Sequence, residues 1–515
     1  MHITPLFTAA RSRLSPLAAA ALVALALLLV GHPALAAVEL PNVFGDHMVL
    51  QQGQQNRVWG RATPGSSVDV RIHTQNHQTV ADASGNWHVI LNPLPVGGPY
   101  EMVVRGENEV RIKDILVGEV WICSGQSNMQ WSVNASNDAD LEHAAARFPR
   151  IRMINFPQVG TQEAIWTHDR HWKVCTPDSV GEFSAVGYFF ARQLYQTLDV
   201  PIGMINNAWG GSACEAWIRR DRLEADPQYR PLIERWEGME KTYQDLSARN
   251  DLNEEEKKTL NGLRGQMTGN ARPANIYNGV LKSHLGYGIR GAIWYQGESN
   301  AGRAYQYREL FPLMISSWRE EWGQGDFPFY WVQLADFRDE KDQPADSDWA
   351  ELREAQTMTM ARLPNTGQAV IIDIGEGKDI HPKNKVDVAR RLARWALAKQ
   401  YGVRIPYRSP EYKSMERENG KIVLTFDNVD GGWRPFDVNQ PVGFAIAGAD
   451  KRFVWAKAEI RGDQKVAVWS DEVSEPVAVR YGWADNPKCN MFDSAGLPLT
   501  PFRTDDWPGV TADAK

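Results

Sequence analysis

Cysteine is scarce: Cys123, Cys175, Cys214 and Cys489 are the only four in 515 residues. None forms a C-x-x-C pair, so no zinc site is expected. Four scattered thiols in so large a chain do not make a disulfide framework, and buried thiols are expected, with one disulfide left open. Blocks of basic residues are missing as well. With a formal net charge of −7 the chain is a poor fit to nucleic acid or to anionic membrane surfaces. The G-x-S-x-G elbow and the H-E-x-x-H helix are absent, and so are the Walker and Rossmann glycine patterns. No cofactor or metal is called for. Long apolar runs are confined to one place, Leu17 to Val30.

That run follows Arg11 and Arg13 and precedes Ala34-Leu35-Ala36. Basic, apolar and A-x-A segments in this order predict a secretory signal peptide over residues 1–36, cleaved after Ala36. The alternative is a membrane anchor, but the run is shorter than the roughly 20 residues a spanning helix needs. Removing it takes two arginines and no acid, so the formal charge goes from −7 to −9. The expectation is a periplasmic or secreted protein with no membrane attachment after cleavage. Tryptophan, by contrast, is plentiful, with twenty in the chain. Indole suits the flat apolar faces of sugars, although it also fills cores and interfaces.

A chain of this length is too long for one ordinary core, so two or three domains are expected. Over residues 37–114 short alternating runs such as “NRVWGRA”, “SSVDVRIHT” and “GNWHVILNP” are spaced by turn residues. They predict an N-terminal β-domain of sandwich type. From Ile115 to 403 strands such as “ILVGEVWIC”, “PIGMINNAW”, “IRGAIWYQG”, “FPFYWVQLA” and “GQAVIIDIG” alternate with helical stretches. That rhythm predicts an α/β domain with a mainly parallel sheet and a site at the carboxyl ends of its strands. Residues 221–267 break the rhythm with a charged helical insertion. After residue 404 the β pattern returns in a C-terminal region, and spacing does not say whether it stands alone.

Four strand ends carry the chemistry. Val117–Cys123 delivers Gly125-Gln126-Ser127-Asn128, and Ile202–Trp209 delivers Gly210-Gly211-Ser212. “GAIWYQ” delivers Gln296-Gly297-Glu298-Ser299-Asn300, and “AVIIDIG” leads to Asp379-Ile380-His381-Pro382. A serine hydroxyl becomes a nucleophile when a histidine takes its proton and a third group orients that histidine. The oxyanion that follows needs donors already aimed at it, which glycine N–H groups and amide side chains can supply. Ser124 precedes the turn and reads as structural. A lone strand-end serine is ordinarily a turn cap; four such ends together argue for acyl transfer.

“GQSNM”, “WGGS”, “WYQGESN” and “DIHP” resemble, in order, the four blocks of the SGNH-type carbohydrate O-acetylesterases. The chain as a whole is similar to their sialate O-acetylesterase-like branch. The resemblance extends to “FGDHMVLQQ” near the mature start and to “GFAIAGADKRFVWAKAEI” and “VRYGWADNP” near the end. It implies an SGNH-hydrolase, flavodoxin-like sheet flanked by helices, with β-sandwich-type regions at both ends. It also implies Ser127 as nucleophile and His381 as base, with Ser127 N–H, Gly211 N–H and the Gln296 amide as oxyanion donors. Many relatives place the orienting acid three residues before the histidine, where this chain has Lys378. Asp379 is therefore assigned as the orienter, with Glu376, Asp373 or a backbone carbonyl as alternatives. Glu298 and Asn300 are expected to support the site.

The expected activity is removal of O-acetyl groups from a carbohydrate through an acyl-enzyme. A neutral plant-type glycan such as xyloglucan or xylan is favoured as substrate over O-acetyl sialic acid, because no arginine cluster stands out for a carboxylate. Two rivals remain: a carbohydrate-binding protein with a relict site, and a lipase or thioesterase of the same superfamily. The second would need an apolar acyl groove, and no such stretch flanks the blocks.

Overall fold

The computed structural model describes residues 37–514, so the expected signal peptide lies outside the described residues. Six strands run side by side and parallel in the order Thr366–Ala369, Phe329–Val332, Gly291–Tyr295, Glu109–Gly125, Ile202–Asn206 and Phe148–Asn155. Lys173–Cys175 closes one edge antiparallel. The strand Glu109–Gly125 sits at the centre and explains the change of rhythm seen in the sequence. Exposed and buried residues mix over 109–114, where it pairs antiparallel with Gly97–Arg105. From Ile115 onward every residue is buried, because helices cover both faces of the parallel part.

The expected boundary at 114/115 therefore falls inside one strand. What changes there is burial, and the N-terminal strands share a core with the catalytic sheet. Val58, Val70 and Met102 belong to the same apolar cluster as Trp294, Phe311 and Trp318. That cluster holds the helices Ala304–Trp322 and Asp348–Arg362 against one face of the sheet. A second cluster holds Ala185–Leu198 and Lys385–Gln400 against the other.

The charged insertion forms the helices Arg220–Glu224, Arg230–Ser247 and Glu254–Met267. Its own apolar contacts centre on Leu232, Trp236 and Met267, and Asn253 and Glu256 cap the last helix reciprocally. Beyond residue 404 two four-stranded antiparallel sheets enclose a separate core that includes Ile422, Leu424, Phe444, Ile446, Val466 and Val479. The C-terminal region is thus a sandwich in its own right.

Arg353 ties that sandwich to the catalytic domain. It is fully buried and donates to the carbonyls of Leu334 (2.8 Å), Ala335 (2.7 Å), Ala484 (2.6 Å) and Asp485 (2.8 Å). All four cysteines are free thiols, so the disulfide left open by the sequence is not formed.

Candidate active site

Gly125 ends the central strand at φ +126°, and a Cβ there would lie 2.2 Å from the Tyr295 carbonyl oxygen. Only glycine allows the strand to turn so close to its neighbour. The chain then enters the short helix Ser127–Gln130, with Ser127 at its first position. From the other side of the cleft the loop after the strand Thr366–Ala369 brings in His381. Its Nε2 lies 2.8 Å from Ser127 Oγ, although 254 residues separate the two.

Asp379 stands behind the imidazole at longer range. Its Oδ1 is 3.5 Å from His381 Nδ1 and accepts the His381 backbone N–H at 2.9 Å. The carboxyl side chain is 45% exposed, so water weakens its hold on the ring. The alternatives named from the sequence point elsewhere. Asp373 is taken by Arg391 at 2.5 and 2.7 Å, and Glu376 Oε1 accepts the Lys383 N–H at 2.9 Å. Trp131 supports the ring directly, stacked on it with centroids 4.6 Å apart and planes 14° from parallel. Burial, followed by the charge of Lys385, lowers the His381 pKa below its usual value, against the opposing pull of Asp379.

The Gly-Gly-Ser turn packs against the serine. A Cβ on Gly210 would sit 3.3 Å from the Ser127 Cβ, and the Gly210 N–H donates to Gln130 Oε1 at 2.7 Å. Gly211 takes a left-handed φ of +72°, and its carbonyl accepts from Ser299 Oγ at 3.0 Å. Asn270 was not singled out from the sequence, yet it also shapes this turn. Its amide donates to the Gly210 carbonyl at 2.5 Å and would lie 3.0 Å from a Cβ on Gly211. It follows a charged insertion, and nothing in its immediate sequence marks it.

Gln296 departs from expectation. It is fully buried, and its Nε2 donates to the Ser212 carbonyl at 3.1 Å and to Asn300 Oδ1 at 2.7 Å. Two hydrogens on one amide nitrogen serve two acceptors, so none is left for an oxyanion in this arrangement. Gln296 braces the glycine turn from beneath, while its own oxygen accepts from the Tyr307 hydroxyl at 2.8 Å. Asn300 continues the network, accepting from the Cys214 N–H at 2.9 Å and donating to Glu215 at 3.0 Å. Glu298, half-buried, is a second brace: Asn128 donates to its Oε1 at 2.7 Å, and desolvation of its carboxyl raises its pKa.

Ser127 and His381 open into a cleft of about 770 Å³. Trp131 and Phe156 give it flat apolar surface, Gln130, Asn155 and Asn206 give it amides, and Arg170 gives it one cation. Of the other tryptophans beside the blocks, Trp121 and Trp294 are fully buried and serve the core.

The model of the carbohydrate esterase, sialic acid-specific acetylesterase family matches residues 117–249 and 270–398. The chain belongs to this family. Its members are acetylesterases, and the chain is accordingly a carboxylic-ester hydrolase of carbohydrate acetylesterase type. A solved carbohydrate acetylesterase from Xanthomonas citri is 39% identical and superposes with a TM-score of 0.79, over 91% of this chain and all of that one. The mouse sialate O-acetylesterase is 29% identical, over 89% of this chain and 92% of its own length. The human sialate O-acetylesterase is also 29% identical, over 91% and 93%. The segment between the two matched stretches, 250–269, holds the last helix of the insertion and the two residues after it, so the match leaves out none of the sheet that carries the site from residue 117 onward.

Proposed function

We propose that this acetylesterase works through an acyl-enzyme on Ser127. His381 Nε2 takes the Ser127 proton as Oγ attacks the acetyl carbonyl, and the N–H groups of Ser127 and Gly211 stabilise the oxyanion. The tetrahedral adduct collapses, the C–O bond to the sugar breaks, and His381 returns the proton to the departing sugar hydroxyl. A water, deprotonated by the same imidazole, then attacks the acetyl-serine, and acetate leaves as Oγ regains its proton. The observation that carries this reading is the 2.8 Å contact between Ser127 and His381 at the floor of an open, amide-rich cleft. Asp379 orients the imidazole in this scheme, and Gln296 keeps the glycine turn in place.

Two substrate classes are proposed for the cleft: acetylated plant-type glycans such as xyloglucan or xylan, and O-acetyl sialic acid. The lack of an arginine cluster favours neutral glycans; Arg170 in the cleft favours a sugar that carries a carboxylate, and Glu182, which also lines it, opposes one. The proposed place of action is outside the cytoplasm, in the periplasm or beyond, on the strength of residues 1–36. The test is acetate release from acetylated xyloglucan, acetylated xylan and 9-O-acetyl sialic acid by the wild type and Ser127→Ala. Release that persists unchanged in the variant would sink the nucleophile assignment. Sugar binding with no wild-type release from any substrate would favour a relict site.

A further inference from the structure

Lys385 is a lysine shut away from solvent. It opens the helix Lys385–Gln400, four residues after His381, and none of its surface is exposed. Its ammonium donates to Asn128 Oδ1 at 2.5 Å and lies over the rings of Tyr295 and Trp131, 5.4 and 5.8 Å from their centroids. Taking a cation out of water costs several kcal/mol unless polar partners offset it. A position that only had to be filled would be better served by methionine or leucine.

Asn128 passes the contact on. Its Nδ2 donates to Glu298 Oε1 at 2.7 Å and to the Ile380 carbonyl at 2.9 Å. Ile380 is the residue immediately before His381. The lysine therefore reaches the imidazole by two routes: along Asn128 to the backbone that carries it, and beside Trp131, the ring stacked on it.

We propose that Lys385 is a positioning residue for His381: through Asn128 it fixes the Ile380 carbonyl and with it the backbone that carries the imidazole. The inference rests on the assignment of Ser127 and His381 as nucleophile and base. The groups that face Lys385 are Asp379 and Glu376 from its own loop, Glu298 from the turn after Gly291–Tyr295, Tyr295 from that strand, and His381. Burial lowers the Lys385 pKa to about 7, with the three carboxylates pulling the other way. His381, lowered by burial and then by Lys385, titrates below its usual value of 6.5. Lys385 is thus the group of higher pKa, so its charge is felt where the imidazole titrates.

The test is steady-state kinetics of Lys385→Met across pH. With the clamp gone, kcat should fall about 10- to 100-fold, as small misplacements of a reacting group do, with KM little changed. The acid limb of kcat/KM should move up by roughly half to one pH unit, because a nearby cation no longer disfavours the imidazolium. Lys385→Gln keeps a donor for Asn128 without the charge. It should recover part of kcat while showing the same shift, and it carries the test alone if the methionine variant does not fold. A folded variant with wild-type kcat and an unmoved acid limb overturns the proposal, and so does a loss confined to KM. Ser127→Ala separates the two assignments. Activity surviving in that variant removes the nucleophile, whereas an inactive Ser127→Ala beside wild-type-like Lys385 variants removes only the positioning role.

Discussion

Trp131 lies flat against His381, with ring centroids 4.6 Å apart and planes 14° from parallel. Four residues after the nucleophile, it holds the ring that must stay 2.8 Å from Ser127 Oγ. An aromatic stack of this kind contributes about 0.5–1.5 kcal/mol beyond area burial. Trp131→Ala should therefore lower kcat by roughly 3- to 10-fold through loss of the stack. Trp131→Phe should recover most of it. Steady-state acetate release at saturating substrate reads both.

Asp379→Asn should cost less than the loss of a buried triad acid, which reaches about 10⁴ in kcat. The carboxylate is 3.5 Å from Nδ1 and nearly half exposed, so its electrostatic hold on the imidazolium is screened. The asparagine oxygen can still accept the His381 N–H. The expected loss is roughly 10- to 100-fold, well short of that limit. A full 10⁴-fold loss would mean that the pair tightens to a buried hydrogen bond once substrate is bound.

Activity should rise with pH along a limb whose midpoint lies below 6.5. The base works only as neutral imidazole, and burial followed by the Lys385 charge lowers the His381 pKa. The sign follows directly: a lowered pKa keeps the ring neutral at more acidic pH, so activity is lost only on acidification past that value. A profile of kcat/KM from pH 4 to 8 checks it, and a midpoint above 7 would contradict it.

Arg353→Met should destabilise the protein without touching the cleft. The guanidinium, its pKa lowered by burial to about 10, is charged at neutral pH and satisfies four carbonyls from the catalytic and C-terminal domains. Each buried acceptor left without a partner costs about 1–3 kcal/mol. The Ala335 and Asp485 carbonyls keep Trp349 Nε1 and the Phe337 N–H as donors, but those of Leu334 and Ala484 lose theirs, so urea unfolding should show a loss of at least about 2 kcal/mol.

The strands and the residues at their ends were legible because both signals are local. “ILVGEVWIC” reads as a buried strand from its unbroken apolar run, and “GQSNM” and “DIHP” read as loop chemistry from their residue types. Family resemblance then joined Ser127 to His381, which periodicity alone could not do. The sequence also carried the helical insertion, since charged helical spacing needs no tertiary partner to be seen.

Other features depended on where the chain places its hydrogen bonds. The 114/115 boundary dissolved because the one strand Glu109–Gly125 passes from a half-solvated antiparallel region into a fully buried parallel one without a break. Gln296 looked like a donor to the cleft; its two amide hydrogens turned out to be committed to Ser212 and Asn300, which are distant or merely nearby in sequence but adjacent in space. Lys385 was not singled out from the sequence, and only packing shows it buried against Asn128, Tyr295 and Trp131. The amino-acid order by itself determined the residue types and the strand ends that carry them. Which of those groups face the cleft and which brace it was decided by the tertiary structure, because a hydrogen bond is spent on whichever partner the fold brings within reach.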